Sequence, residues 1–306
     1  MKSFTSILVD LDATASAHPA LERAVRLARF TGAAIRIVDV VSAPGDARSS
    51  LDSHLEDELM KRRREQLARI SNGVRDLIVD TDVLTGPPAE ALIRDVIRFR
   101  HDLVVRSHAR DLVARSSTPV ASVDLQLLRH CPCPVWAVGP GTAPQDPKIV
   151  GAIDAAVADP LRQRLNTKIV EAAVILSGLL DGSLTLLNAW HPAFETQVRS
   201  HSNPEEFAAY LDSARRTAKA NLARTGASFG ALLSGASFEL RRGDVEEVVP
   251  QFAVAQGIDV VVIGTTGRTG IARRLPGSTA ERLLRKLPCS IVTVKPDDFV
   301  STVRCW

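Results

Sequence analysis

The chain has 306 residues, about twice a usual domain length, and 45% of them are apolar, enough for two buried cores. A net charge of +3 with 24% charged residues is too balanced to mark a nucleic-acid binder. Four cysteines are too few for a disulfide framework, and no apolar run is long enough to span a membrane, so the expected compartment is the reducing cytoplasm.

Taken in order, the elements repeat. Residues 3–12 form a β-branched run ending in Asp12, and residues 145–154 form a similar run ending in Asp154. A helix follows each run. In the first half Leu21, Val25, Leu27 and Ala28 recur at helical spacing until Gly32 offers a C-cap; in the second Leu165, Ile169, Ala172 and Leu176 do so before the turn Asp181-Gly182.

A second strand is expected at 33–41 and at 183–190, then a long amphipathic helix in each half. The later helix has Asn203 to cap it, Pro204 at its first position, and a stripe of Phe207, Leu211, Ala214, Ala218 and Leu222. Lys61, Arg62, Arg63 and Arg64 lie in the earlier one, one turn after Glu56, Asp57 and Glu58, opposite Leu55, Leu59, Leu67 and Ile70; this reads as a solvated face, with a nucleic-acid patch as the weaker alternative. Residues 85–105 match 242–262, where Asp244 and Glu247 have capping-box spacing. Residues 127–140 match 283–296, with Pro132 opposite Pro288 and Cys133 opposite Cys289.

Alternation of strand and helix, twice over, implies parallel strands with helices on both faces. The Gly- and Pro-rich stretch 139–147 separates the halves, giving domains 1–140 and 141–306. The last strands, 135–140 and 291–296, would be exposed edges in isolated domains, so the halves are expected to pair through them; a homodimer is left open.

The motif that carries chemistry follows the strand ending at Gly264. Gly264, Thr265, Gly267, Arg268, Gly277, Ser278 and Thr279 form a glycine-spaced loop that opens a helix. Glycines let phosphates approach the backbone, and a helix start offers free N–H groups to an anion. The hydroxyls of Ser278 and Thr279 can add donors or help hold Mg2+, and Arg268, Arg273 and Arg274 add positive charge.

This spacing, with 277–281 and 295–298 in the same order, resembles the nucleotide-binding universal stress proteins, and most of all their tandem E-type members; the resemblance covers nearly the whole chain. It implies an α/β fold of two tandem Rossmann-like domains of the adenine nucleotide alpha hydrolase kind, each a five-stranded parallel sheet flanked by helices. It implies ATP as cofactor, with or without Mg2+. It also implies that Asp154 reaches the base, Ala152 lines it and Ala189 walls it. In the first half Arg106, Ala109 and Ala121 stand where the glycines should be, the loop is two residues longer, and only Ser122 survives, so that half is expected to be empty or to hold something else.

Simpler readings stand beside these. Asp12 is read as a strand-end cap for the following helix, and His191 as a solvated loop histidine. His130, Cys131 and Cys133 could be a metal knuckle, but with no second Cys/His pair the preferred reading is a small buried hydrophobe, and no metal site is assigned. The family resemblance implies an ATP-binding protein with a regulatory role in stress survival. No loop lysine, no adenylylation motif and no general base stands beside the glycines, so no catalytic residue is assigned. A slow ATPase and a scaffold with a vestigial site are the alternatives.

Overall fold

The computed structural model describes residues 4–41, 50–74, 76–107, 123–139, 146–155, 160–265 and 279–304. They form two compact units. The first takes the described residues up to Gly139 and those from Ser290 on; the second takes those between.

In the first unit the order is β1 (Ser6–Asp10), α1 (Pro19–Thr31), β2 (Ala34–Val41), α2 (Ser50–Ser71), β3 (Val79–Thr85), α3 (Pro88–Phe99), β4 (Leu103–Ser107), α4 (Val123–His130) and β5 (Val135–Val138). These strands lie in the order β3-β2-β1-β4-β5, all parallel. Ile7, Leu8 and Val9 are wholly buried, as a central parallel strand covered on both faces requires. Gly32 ends α1 in the left-handed conformation (φ 76°), and its N–H donates to the Ala28 carbonyl. Leu67 of α2 is buried, but Leu55 and Leu59 are exposed, so only the second half of the expected apolar stripe packs.

The second unit contains β6 (Lys148–Ala152), α5 (Pro160–Leu180), β7 (Ser183–Trp190), α6 (Glu195–His201), α7 (Pro204–Phe229), β8 (Ser237–Arg242), α8 (Val245–Gln256), β9 (Val260–Gly264) and α9 (Thr279–Lys286). The order is β9-β6-β7-β8, again parallel throughout. Asn203 caps α7 through a complete capping box with Glu206. Its predicted stripe faces inward but is mostly half-buried; Leu222 and Gly226 are the buried residues among those described. The capping box expected at Asp244 does not form. The Asp244 side chain makes no cap bond, and its backbone carbonyl accepts from the Glu247 and Val248 N–H groups instead.

The sequence division at 140 and the compact units differ over one strand. β10 (Ser290–Val294) belongs by sequence to the second repeat but lies in the first unit. It pairs antiparallel with β5, Ile291 opposite Ala137, Val292 opposite Trp136 and Thr293 opposite Val135. The edge groups of β5 are satisfied in this way, and the Ser290 hydroxyl accepts from the Gly139 N–H at 3.0 Å.

A buried charge cluster fixes the outer strands of the first unit. Arg36 of β2 is 8% exposed. Its guanidinium donates to Asp80 and, at 2.8 Å, to Asp82 of β3, and at 3.0 Å to Asp95 of α3, with the Phe99 ring 4.4 Å away. Asp95 also lies 3.4 Å from His101 Nε2, whose Nδ1 meets the Ser6 hydroxyl at 2.7 Å. Burial works against ionisation of Asp95, but hydrogen bonds from His101 and Arg36 and their charges hold its pKa below the ordinary 3.8.

A depressed carboxylate pKa contributes stability that is present above 3.8 and lost as pH falls through the folded value. Asp95→Asn is therefore expected to cost about 2–3 kcal/mol at neutral pH, the low end for a broken buried pair because Arg36 keeps two partners. Denaturant melts should show wild type losing stability below pH ~4 and the variant losing less. Gly182 supplies a second test. A Cβ there would lie 2.2 Å from the Pro147 carbonyl oxygen. Gly182→Ala should lower thermal stability by about 2 kcal/mol or more.

Candidate functional site

In the second unit β6 pairs with β9 on one side and β7 on the other. Helix α5 is the next element after β6 and α9 the next described element after β9, so the carboxyl ends of these strands open onto a cleft where strand order reverses. The cleft has a volume of about 820 Å³. Its floor is apolar, from Ile153, Leu165, Ile169, Leu187, Val249 and Leu283; Ala152 and Ala189 add small side chains. Its rim is charged, with Asp154, Arg162, His191, Asp244, Glu246, Glu247 and Lys286.

Of the residues expected from sequence, the structure brings Ala152, Asp154, Ala189, Gly264 and Thr279 to this cleft. Ala189 is the penultimate residue of β7. Thr265 follows β9 as a buried residue. Gly267, Arg268, Arg273, Arg274, Gly277 and Ser278 lie outside the described residues.

Gly264 has a packing reason that spacing alone did not show. A Cβ there would sit 2.5 Å from the Leu165 side chain of α5. Asp154 is oriented by two residues that sequence reasoning missed. Its Oδ2 accepts from Arg162 at 2.6 Å. Asn166, 5% exposed, accepts from the Asp154 N–H at 3.0 Å and donates to its carbonyl at 2.7 Å. The signal was available: Asn166 stands one turn after Arg162 and three residues before Ile169 of the apolar stripe, where a buried amide needs partners.

Glu246 was missed as well. Its Oε1 accepts from the Thr279 hydroxyl at 3.2 Å and from Arg282, so a carboxylate stands at the first turn of α9. The Arg282 hydrogen bond leads in holding its pKa below the ordinary range. His191 is a largely exposed rim residue, its Nδ1 3.8 Å from Asp244.

The first unit carries charge at the corresponding strand ends. Arg106, in place of Gly264, directs Nε to Asp10 at 3.2 Å and Nη1 to Asp124 at 3.0 Å. Burial pushes the Asp10 carboxyl above its ordinary pKa, and Arg106 opposes that rise. Asp12 does not cap a helix; it accepts from the Thr14 N–H at 2.9 Å and the Thr14 hydroxyl at 2.6 Å, closing a local turn. Arg63 corrects the reading of the basic run as a solvated face. Arg62 pairs with Glu58 on that face at 3.1 Å, but Arg63 turns inward to Asp12 at 2.7 Å and Asp39 at 2.9 Å. Ala109, Ala121 and Ser122 lie outside the described residues. Among the described residues no three His, Cys, Asp or Glu side chains gather as a metal site, and no helix is long and apolar enough to cross a membrane.

Two α/β units with mostly parallel strands, one opening onto a cleft at its strand ends, define a tandem Rossmann-like architecture. The universal stress protein family profile matches the chain twice, over residues 3–139 and 149–295, and the chain belongs to that family. Universal stress protein E of Escherichia coli K12 is 28% identical over 99% of this chain and 98% of its own. Universal stress protein E of Photorhabdus laumondii is 26% identical, with 99% of each chain covered. Among solved structures, a functionally unknown protein from Pseudomonas aeruginosa PAO1 superposes with a TM-score of 0.66 at 25% identity, covering 97% of this chain and 94% of that one. A universal stress protein from Archaeoglobus fulgidus gives the same TM-score at 14% identity, over 96% and 97%, and shows the shared fold.

The Gly264–Leu165 contact separates packing from ligand chemistry. Gly264→Ala should lower the melting temperature without any ligand, by about 1–3 kcal/mol in stability. Combined with Leu165→Ala, the two costs should sum to less than their separate values, read from a double-mutant cycle of melts.

Proposed function

We propose that the second unit binds one ATP per chain, and that the protein serves a regulatory role in stress survival through that bound nucleotide. The cleft carries this reading. It sits at the switch point of a parallel sheet, is floored by apolar side chains, and is walled by the small residues Ala152 and Ala189. A planar base fits such a wall, and Asp154, held by Arg162 and Asn166, offers a carboxylate acceptor beside it. The glycine-spaced sequence runs from β9 to α9, so the phosphates would meet its backbone N–H groups and the start of α9 at Thr279.

Glu246 is a negative group that meets Thr279 directly. Mg2+ held with the triphosphate would neutralise that repulsion, with the hydroxyls of Ser278 and Thr279 as its protein donors. The residues of this chain bind and orient the nucleotide, and no catalytic role is assigned to them. The role in stress survival follows from the relatives' name and rests on the same binding.

Calorimetric titration of the full chain with ATP and Mg2+ should give a stoichiometry near one. Gly277→Val, which puts a β-branched side chain where phosphate must approach, should abolish binding and leave the circular dichroism unchanged. ATP at a hundred times its dissociation constant should stabilise the wild-type chain by about 2.7 kcal/mol. A stoichiometry near two would assign a site to the first unit too, and a stoichiometry near zero would overturn the reading.

A further inference from the structure

Helix α4 leads into β5 through His130, Cys131, Pro132 and Cys133, and the cleft makes no use of this segment. The two repeats differ here at one informative place. Cys133 aligns with Cys289 and Pro132 with Pro288, so a small residue before the last strand serves both repeats. Cys131 aligns with Leu287, which is 2% exposed. Core packing at that position is met by an aliphatic side chain, yet the first repeat has a second thiol.

Cys131 and Cys133 are both buried in the first unit's core, and their Sγ atoms lie 3.6 Å apart. A disulfide needs about 2.05 Å, so closure takes a movement of roughly 1.5 Å shared between two side chains. Lys295, the residue after β10, is buried beside them; its Nζ donates to the Leu128 carbonyl and stands over the Phe299 ring at 4.1 Å. Burial lowers the Lys295 pKa to about 8, and the charge it retains acts on both sulfurs.

Burial opposes ionisation of Cys131. Hydrogen bonds from the Cys133 thiol and backbone N–H, with the charge of Lys295, nevertheless hold its pKa below the ordinary 9.0. Cys133 is pushed well up by its hydrogen bond with Cys131 and by burial. The pair is thus unequal, with ionisation easier at Cys131 than at Cys133.

We propose that Cys131 and Cys133 form a redox site that takes a small hydroperoxide and closes to a reversible Cys131–Cys133 disulfide. The Cys131 thiolate attacks one peroxide oxygen. An S–O bond forms, the O–O bond breaks, and the departing hydroxide leaves as water with a proton from Lys295. Sulfur is oxidised to a sulfenic acid as the peroxide is reduced. Cys133 then gives its proton to the neutral Lys295 amine, and its sulfur attacks that of Cys131. The S–S bond forms, the S–O bond breaks, and the second hydroxide leaves as water with that proton. In sum, two thiols and one hydrogen peroxide become one disulfide and two waters. The burial of both sulfurs leaves glutathione disulfide no approach, so the oxidant proposed is a small uncharged peroxide.

The test uses the full reduced chain, a stoichiometric pulse of hydrogen peroxide, then denaturation, alkylation and peptide mass spectrometry. The peptide holding Cys131 and Cys133 should lose two hydrogens and take no alkyl group, and dithiothreitol should restore double alkylation. Cys289, with Leu287 in place of a partner thiol, should stay alkylated. Glutathione disulfide at the same concentration should leave the pair reduced. Cys133→Ser should trap the intermediate as a dimedone adduct on Cys131. If the wild-type pair remains doubly alkylated at a dose that oxidises Cys289, or closes with glutathione disulfide and not with peroxide, the proposal is overturned; this reading needs no variant to fold.

Discussion

Parallel pairing on both sides of β6 is the constraint on which the second unit depends. Because β7 and β9 run the same way as β6, their carboxyl ends finish at one edge, and the connections leaving them diverge to opposite faces. A cleft at that edge is a topological consequence, before any side chain is chosen. What the sequence then selects is its lining: alanines at 152 and 189, and a glycine at 264 so that α5 can press Leu165 against the strand end.

The first unit meets the same constraint with different chemistry. Its strand ends carry Asp10, Asp12 and Asp39, with Arg106 and Arg63 entering from β4 and α2 to pair them. Asp10 and Asp39 are poorly solvated there and would be costly alone, so the arginines act as fixed counter-ions, while Asp12 stays largely exposed. One scaffold thus has two ways to finish an edge, an apolar hollow or an internal salt cluster.

Much of this was legible because it rests on short-range rules. The apolar runs of β1 and β6, the Gly32 cap and the Asn203-Pro204 helix start are local signals, and each sits where expected. Among the residues that line the cleft, Ala152, Asp154 and Ala189 were singled out through the repeat and the family resemblance. What was missed depends on tertiary contact. Nothing near Arg63 in sequence announces Asp12 or Asp39, and Glu246 reaches Thr279 across 33 positions. Asp244 had the right spacing for a capping box, but its side chain remained outside the helix end. Spacing permits such a bond without compelling it.

The placement of β10 has a consequence for synthesis. The Thr293 hydroxyl meets the Val135 carbonyl across 158 positions, so β5 emerges from the ribosome long before the strand that covers its edge. Closing so large a loop costs only slowly increasing entropy, but the waiting time is set by translation. Throughout that interval the first unit carries an unfinished apolar edge, containing Val135, Trp136 and Val138, open to pairing with any strand nearby. The edge of β5 is therefore covered only once residues 290–294 have been made.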